Sequence, residues 1–179
     1  MVLTVTTRFD APTLARPIKL REERDNEGVP LRTGCRVWSC ARLLSRRLVD
    51  AESFSIRGRD VLELGAGLGT PGMLCWLSGA ARETTLTDGN ADVASDLRRS
   101  IEMNRNFVDQ SAIKSLGSAT AGTLEWGRGD ADDFARKTFP LVVASDVVYS
   151  EASTRGVLDV VHTKLERDNG MLLLAYVSR

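Results

Sequence analysis

A short apolar run that leads directly into closely spaced glycines is the feature that most constrains this chain. Residues 60–64 read DVLEL, and glycine then occupies every second position of the loop at 65–69. Glycine accepts sharp turns and positive φ angles, which let backbone N–H groups approach a ligand closely. Thr70 and Pro71 then predict a helix start, with threonine as the N-cap and proline as the first helical residue. This segment therefore predicts a strand, a ligand-binding loop and a helix in succession.

The same alternation of strands and helices continues along the chain. Apolar or alternating runs predict strands at 60–64, 84–88, around 112–126, at 140–145 and at 171–177. Helical periodicity predicts helices at 35–49, 70–77, 91–103 and 151–168, the last with Val157, Leu158, Val161 and Leu165 facing inward. Residues 1–34 instead hold two β-like pieces, VLTVTTRF and PIKL, followed by a charged turn, REERDNEG. This alternation with short connections predicts an α/β fold with a mostly parallel sheet covered on both faces.

Composition excludes several classes of function. Among 179 residues, 24 lysines and arginines balance 24 aspartates and glutamates, so no overall field attracts nucleic acid or a membrane, and neither is a predicted partner. No apolar run approaches the roughly 20 residues of a membrane span. His162 is the single histidine, which excludes a multi-histidine metal site, and no metal is predicted. Three cysteines without short pairing predict reduced thiols in a cytoplasmic protein, with the nucleus as the alternative.

The register of the glycine loop separates two classes of cofactor. A dinucleotide-binding loop reads G-x-G-x-x-G, but Thr70 stands where its third glycine belongs. Glu63, two residues before the first glycine, suits a cationic ligand such as S-adenosyl-L-methionine better than a pyrophosphate. Asp88 ends the next strand, where a carboxylate accepts hydrogen bonds from ribose hydroxyls, although a charge at a helix N-terminus is the alternative interpretation. An NAD-dependent oxidoreductase is therefore the least favoured enzyme class.

Four segments of the chain carry a combined pattern. They are Thr33-Gly34-x-x-Val37-Trp38, VLELGAGLGTPGM, Leu124-Glu125-Trp126-Gly127 and Ser145-Asp146-Val147-Val148-Tyr149. Together they resemble the class I, seven-β-strand methyltransferases, and among these the family 16 protein-lysine methyltransferases. The resemblance implies a Rossmann-like, doubly wound, mostly parallel sheet, S-adenosyl-L-methionine as cofactor and S-adenosyl-L-homocysteine as product. It also implies methyl transfer to a lysine side chain of a protein substrate.

The motifs and the resemblance together give a set of candidate site residues. The expected cofactor-binding residues are Trp38, Glu63, Gly65, Gly67, Gly69, Asp88, Trp126, Ala144 and Ser145. The resemblance places Trp126 against adenine and Trp38 over the methionine end, while simple core packing is the alternative for both rings. Asp146 and Tyr149 are the expected catalytic residues. Asp146 would position the substrate ammonium first and accept a proton second, and Tyr149 would orient or shield the nitrogen. The alternative for Asp146 is a cap for the following helix.

The boundaries predict a single domain over 1–179. It comprises N-terminal β segments and a helix at 1–50 and a Rossmann-like core at 58–179. The resemblance implies seven strands, of which five are placed, so the core is expected to be short at its C-terminus. MLLLAYV would then be an apolar edge strand, covered by a partner chain or the N-terminal β segment unless the chain is truncated. The functional alternatives are a methyltransferase for a small molecule or another protein side chain, and a catalytically impaired cofactor-binding or interaction module.

Overall fold

The fold consists of a five-stranded parallel sheet with helices on both faces and a separate two-stranded hairpin. The structure, a computed structural model, describes residues 3–10, 14, 17–49, 56–108, 116–127 and 137–177. The strands are β1 (Leu3–Phe9), β2 (Ile18–Arg24), β3 (Asp60–Leu64), β4 (Glu83–Asp88), β5 (Ser118–Thr123), β6 (Leu141–Ser145) and β7 (Met171–Ala175). The helices are α1 (Ser39–Val49), α2 (Thr70–Leu77), α3 (Ala91–Phe107) and α4 (Glu151–Lys164). The predicted α/β class and parallel sheet are confirmed.

The order of the strands places a crevice at the centre of the sheet. The order is β5-β4-β3-β6-β7, and every neighbouring pair is parallel. The chain therefore builds outward from β3 through β4 to β5, then crosses back to β6 and builds outward on the other side. In such sheets ligands bind at the carboxyl ends of the strands where the order reverses. Here that point lies between β3 and β6.

The two faces of the sheet are covered by different helices. Val61 and Val143 join a core with residues of α1, α2 and α3, whereas Leu62 and Val142 join a second core with residues of α4. Side chains of a strand alternate between faces, so strands apolar at every position must be buried on both sides. The strand predicted at 140–145 is confirmed and is of this kind, since residues 141–144 are all buried.

Polar side chains of α3 hold the N-terminal hairpin in place by forming hydrogen bonds with the backbone of β2. β1 pairs antiparallel with β2, with Phe9 opposite Ile18. The Asn104 side chain accepts from the Lys19 N–H at 2.9 Å and donates to the Lys19 carbonyl at 2.7 Å. The Arg21 N–H donates to Ser100 Oγ at 3.1 Å. Polar groups of a helix thereby complete the hydrogen bonding of β2.

Part of the segment predicted as a charged turn is strand. β2 continues through Arg24, because its polar side chains are paired: Arg21 Nε lies 2.8 Å from Asp96 Oδ1, and Arg24 donates to the buried carboxylate of Glu22. The turn itself is confined to 25–28, where the Gly28 N–H donates to the Asp25 carbonyl.

Four helix boundaries and one inward-facing residue differ from the predictions. The helix predicted at 91–103 continues to Phe107. α1 begins at Ser39 because 33–35 form a 3-10 turn. Gly69, with φ of 73°, is the N-cap of α2, so Thr70 is its first residue instead. α4 ends at Lys164, because Leu165 leaves the helix to form a parallel β-bridge with Phe139.

One residue of α4 that was predicted to face inward lies outward instead, whereas Val161 and Leu165 pack against the second core as predicted. Leu158 is 56% exposed, whereas Val157 and Val160 are buried. Positions 157, 160 and 164 follow the i, i+3, i+7 spacing of one helical face, and 158 falls outside it.

Strand β7 lies at an edge of the sheet. It pairs with β6, and within the described residues no strand pairs with its other side. All five of its residues are half-buried rather than buried, as expected for the apolar edge strand that the sequence predicts. The described part of the N-terminal hairpin packs on α3, not on β7, so the prediction that it covers this edge is wrong. None of the described helices is long and apolar enough to cross a bilayer.

Candidate functional site

A cleft of about 1070 Å³ lies at the carboxyl ends of β3, β4 and β6, at the reversal of strand order. Five parts of the chain form it: the segment before α1, the glycine loop, and the residues that follow β4, β5 and β6. Of the candidate site residues, it brings together Trp38, Gly65, Gly67, Asp88, Trp126, Ser145, Asp146 and Tyr149. Glu63, Gly69 and Ala144 do not line it. The volume is that of a typical small-molecule or cofactor site.

The glycine loop forms a bare backbone floor for the cleft. Gly65 and Gly67 have φ angles of 59° and 53°, values that residues with a side chain rarely adopt. A Cβ at Gly65 would lie 2.7 Å from a Val147 methyl and 3.1 Å from the Trp126 ring, and one at Gly67 would lie 3.1 Å from the Gly34 carbonyl. Any ligand on this floor therefore meets backbone rather than side chains.

Glu63 faces away from the cleft, contrary to its predicted role as a cofactor contact. It alternates with Leu62 and Leu64 in β3, so its side chain points toward α2, where it is 1% exposed. Its Oε2 accepts a hydrogen bond from the Gly72 N–H at 2.9 Å. Burial raises the pKa of Glu63 to about 8, with the Gly72 hydrogen bond opposing that rise. The carboxyl therefore joins β3 to the first turn of α2.

Gly69 and Ala144 are also structural in this arrangement. A Cβ at Gly69 would lie 2.5 Å from the Leu86 side chain, so this glycine permits close packing of the helix start on β4. Ala144 is fully buried, and its side chain joins the core beneath α4. Its neighbour Ser145 lines the cleft.

Asp88 connects the end of β4 to the glycine loop. Its Oδ2 accepts from the Gly67 N–H at 3.1 Å, and its Oδ1 accepts from the Asn90 N–H at 3.0 Å. Burial raises the pKa of Asp88 above its ordinary value, and the backbone hydrogen bonds oppose the rise. Asn90 itself caps α3 by accepting from Asp92 and Val93, so α3 does not need Asp88 as its cap.

Two tryptophans form walls of the cleft. Trp126 follows β5 and is half-buried, with its ring beside Gly65 and its Cβ against Gly156 of α4. Trp38 donates from Nε1 to the Thr33 carbonyl at 3.0 Å, which closes the segment before α1 on itself. Both rings line the cleft, and Trp126 also packs against the core beneath α4. Trp76, by contrast, is 2% exposed and lies in the core.

Asp146 stands at the mouth of the cleft in a left-handed conformation. Among the described residues, Asp146 is the one non-glycine residue with a positive φ, at 56°. Its N–H donates a hydrogen bond to the Ala175 carbonyl at 2.9 Å. Its Oδ2 lies 3.4 Å from the Cys40 N–H in the first turn of α1. Ser150 caps α4 with a complete capping box, so the alternative of Asp146 as that cap is wrong. Tyr149 is 64% exposed beside it.

The family of the chain follows from comparison with known proteins. The sequence profile described as "Lysine methyltransferase" matches residues 15–179. The chain belongs to the lysine methyltransferase family.

Curated relatives of this lysine methyltransferase family member carry related names. It is 29% identical over 119 residues to a calmodulin-lysine N-methyltransferase of Arabidopsis thaliana, covering 66% of the chain and 34% of the relative. It is 30% identical over 115 residues to protein N-lysine methyltransferase METTL21A of Xenopus tropicalis, covering 64% and 47%. It is 27% identical over 150 residues to protein N-terminal and lysine N-methyltransferase EFM7 of Yarrowia lipolytica, covering 76% and 51%. The chain thus spans about a third to a half of these relatives' lengths.

Solved structures support the fold of this family member. A SAM-dependent methyltransferase from Agrobacterium tumefaciens matches with a TM-score of 0.59 at 12% identity, covering 99% of the chain and 54% of that protein. The glycopeptide N-methyltransferase MtfA complexed with S-adenosyl-L-methionine matches with a TM-score of 0.52 at 23% identity, covering 81% and 59%. The class I methyltransferase architecture predicted from the sequence is confirmed.

Sequence reasoning missed two arginines in the cleft. Arg32 and Arg36 both line it, one on each side of the Thr33-Gly34 pair. Their position beside the Thr33-Gly34 pair, in a segment already expected to contribute to the site, was the sequence signal that could have identified them. His162 lies outside the cleft, exposed on α4. The described residues hold no group of three histidine, cysteine or acidic side chains suited to a metal ion.

Proposed function

We propose that the protein is an S-adenosyl-L-methionine-dependent methyltransferase that modifies a lysine side chain of a protein substrate. The observation that carries this proposal is that one cleft joins a bare glycine floor, Asp88 and the Asp146–Tyr149 pair. Membership of the lysine methyltransferase family supports the same reaction class.

The cleft suits the cofactor on its chemistry. The floor at Gly65 and Gly67 carries no side chain, and Asp88 at the end of β4 is the group that would accept hydrogen bonds from ribose hydroxyls. The Trp126 ring beside Gly65 gives an apolar wall for a purine. When bound, S-adenosyl-L-methionine supplies a methyl group on a sulfonium and leaves as S-adenosyl-L-homocysteine.

Asp146 and Tyr149 are the residues to which we assign the acceptor. A lysine arrives as an ammonium ion, which the Asp146 carboxylate at the cleft mouth attracts. Methyl transfer needs a nitrogen with a free lone pair, so the ammonium must lose a proton. Carboxylates are weak bases, so Asp146 acts first by positioning the amine and only second as a proton acceptor. The exposed Tyr149 hydroxyl would orient or shield the nitrogen, and alignment of the reacting atoms contributes most of the rate.

We also propose that the chain forms a single domain, and we propose a compartment and a partner chain for it. Cys35, Cys40 and Cys75 are buried and none of them is in a disulfide, which fits a reducing compartment, so we place the protein in the cytoplasm, with the nucleus as the alternative. The free side of β7 is the place where a partner chain would add. We assign no nucleic acid or membrane partner, because the net charge of the chain is zero.

The cofactor is tested by calorimetry and the acceptor by labelled transfer. Titration with S-adenosyl-L-methionine should show binding at micromolar concentration, and S-adenosyl-L-homocysteine should compete. Incubation of a cell lysate with the protein and methyl-labelled cofactor should label proteins, and mass spectrometry should locate the methyl groups on lysine.

Other outcomes of these two experiments contradict the proposal. No binding at high micromolar concentration would exclude the cofactor. Label confined to the small-molecule fraction would support a small-molecule methyltransferase, and label on another side chain would replace lysine. Normal cofactor binding without any transfer would support the impaired binding module, which is suggested by the edge of β7 that no described strand pairs with.

A further inference from the structure

One cation in the wall of the cleft has no carboxylate partner. Arg36 is exposed and lines the cleft, and within the described residues it forms no ion pair. Its guanidinium carbon lies 4.2 Å from the centroid of the Trp38 ring. Arg32, the other arginine of the cleft, is already bound to Glu23 at 3.0 Å and to Asp92 at 3.4 Å. Of the two arginines in the cleft, Arg36 is therefore the one whose charge no carboxylate among the described residues neutralises.

The segment that carries Arg36 lies directly over the glycine loop. The Gly34 carbonyl is 3.1 Å from the position of a Cβ at Gly67, so the two segments are in contact. The bond from Trp38 Nε1 to the Thr33 carbonyl closes the segment around Arg36. The Trp38 ring gives the guanidinium a face on which to lie, a cation–π contact that favours a fixed orientation.

The charges of the cleft leave one group of the cofactor unmatched, which makes this step dependent on the proposed function. The cofactor carries a sulfonium, an ammonium and a carboxylate. Asp88 and Asp146 are acidic, so they repel a carboxylate. The N-terminus of α2, the other electropositive feature nearby, faces the buried Glu63 carboxyl.

We propose that Arg36 binds the α-carboxylate of the cofactor's amino-acid tail, with Trp38 holding the guanidinium in place. An arginine–carboxylate contact is a charge-assisted, geometrically specific interaction. Arg36 then sets which end of the cleft the amino-acid tail occupies, and so directs the sulfonium toward Asp146.

The test compares two ligands that differ by the carboxylate alone. Calorimetry measures the dissociation constants of S-adenosyl-L-methionine and of decarboxylated S-adenosylmethionine, which keeps the sulfonium and the amine. Arg36→Ala should raise the dissociation constant of S-adenosyl-L-methionine by about tenfold to one hundredfold, as expected for the loss of a hydrogen bond to a charged group. It should raise the dissociation constant of decarboxylated S-adenosylmethionine by less than about twofold. Arg36→Lys should restore part of the loss, and Arg36→Gln should not.

Controls separate binding from folding. Arg167→Ala removes an exposed arginine from the turn after α4, outside the cleft, and should leave both dissociation constants unchanged. The thermal midpoints of the Arg36 variants should match that of the unsubstituted protein, because Arg36 is exposed.

Each other result has a defined meaning. An equal loss for both ligands would overturn the proposal and give Arg36 a packing role through Trp38. Unchanged binding of both ligands with a raised KM for a protein substrate would overturn it and place Arg36 on the acceptor side. If the unsubstituted protein binds neither ligand, the proposed function is wrong. If Arg36→Ala changes the dissociation constants of both ligands equally, only the inference about Arg36 is wrong.

Discussion

The buried carboxyl of Glu63 accepts a hydrogen bond from the Gly72 N–H at 2.9 Å, in the interior between β3 and α2. Gly72 is the third residue of α2, where backbone N–H groups lack partners inside the helix. The N-cap residue Gly69 offers no side chain for them. A carboxyl from the neighbouring strand therefore does for α2 what a capping side chain does elsewhere, and it fixes the helix start under the cleft floor.

Substitution of Gly72 should destabilise the fold through this contact. In Gly72→Ala the new Cβ would lie 2.5 Å from Glu63 Oε2 and 3.1 Å from the Leu86 side chain. Overpacking of this kind costs about 1–3 kcal/mol, partly offset by the better helix propensity of alanine. The free energy of unfolding, measured in urea, should fall accordingly. Gly89→Ala, whose Cβ would lie 3.8 Å from the Leu124 carbonyl, is the control and should change little. Equal effects of the two substitutions would refute this explanation.

The stability of the protein should fall as pH rises, because of Glu63. The pKa of its carboxyl is raised from 4.5 to about 8 in the folded protein, chiefly by burial. The folded state therefore holds a proton that the unfolded state releases, and this group's contribution, complete below pH 4.5, is lost as pH approaches 8. The slope approaches about 1.4 kcal/mol per pH unit for one proton.

Glu63→Gln isolates this effect, because an amide oxygen can still accept from Gly72 but does not titrate. Urea unfolding at pH 5.5, 7 and 8.5 should show a pH-dependent loss for the unsubstituted protein and a flatter profile for the variant. Asp88 contributes in the same direction, since burial also raises the pKa of its carboxyl, so some slope will remain. Parallel profiles for the two proteins would show that Glu63 does not titrate in this range.

The elements of the sheet could be predicted from the sequence because their signals are local. The apolar runs at 60–64 and 140–145 are long enough and bounded clearly enough to specify buried parallel strands. Asn90 was predictable as a cap because its side chain reaches N–H groups two and three residues ahead. These features need no knowledge of what lies across the fold.

The parts that sequence reasoning missed depend on contacts between distant segments. Glu63 was predicted to face the ligand from its place in the motif, although the two-residue period of β3 puts it on the face of Val61, toward α2. Arg32 pairs with Glu23 and Asp92, which are 9 and 60 residues away, so the sequence does not distinguish it from Arg36, which has no ion pair with any described residue. The pairing of β2 with polar side chains of α3 is invisible for the same reason.

The hairpin should loosen when its bonds to α3 are removed. Asn104→Ala deletes the two hydrogen bonds to Lys19 and leaves the Lys19 N–H and carbonyl without their partners. Loss of buried hydrogen bonds of this kind costs about 1–3 kcal/mol. Hydrogen exchange should accelerate at β2 while β3 and β6 remain protected. The control is Asn106→Ala, at an exposed position of the same helix. It should change hydrogen exchange neither at β2 nor at β3 and β6. Uniform acceleration across the sheet would instead show that the hairpin and the core open as one unit.

Asp146 can be separated into its charge and its conformation. Its φ of 56° lies in the left-handed region, which asparagine tolerates well and alanine does not. Asp146→Asn should therefore keep the thermal midpoint and the affinity for S-adenosyl-L-methionine within about threefold, while methyl transfer falls by about a hundredfold or more, as for loss of a positioning group. Asp146→Ala should lose transfer to the same extent and, in addition, about 1 kcal/mol of stability from the strained backbone. Asp159→Asn, on the exposed face of α4, is the charge-matched control and should retain full transfer. Because the asparagine variant preserves the backbone and the cofactor site, transfer at the unsubstituted rate in that variant would remove Asp146 from the proposed mechanism and leave Tyr149 as the residue to test at the cleft mouth.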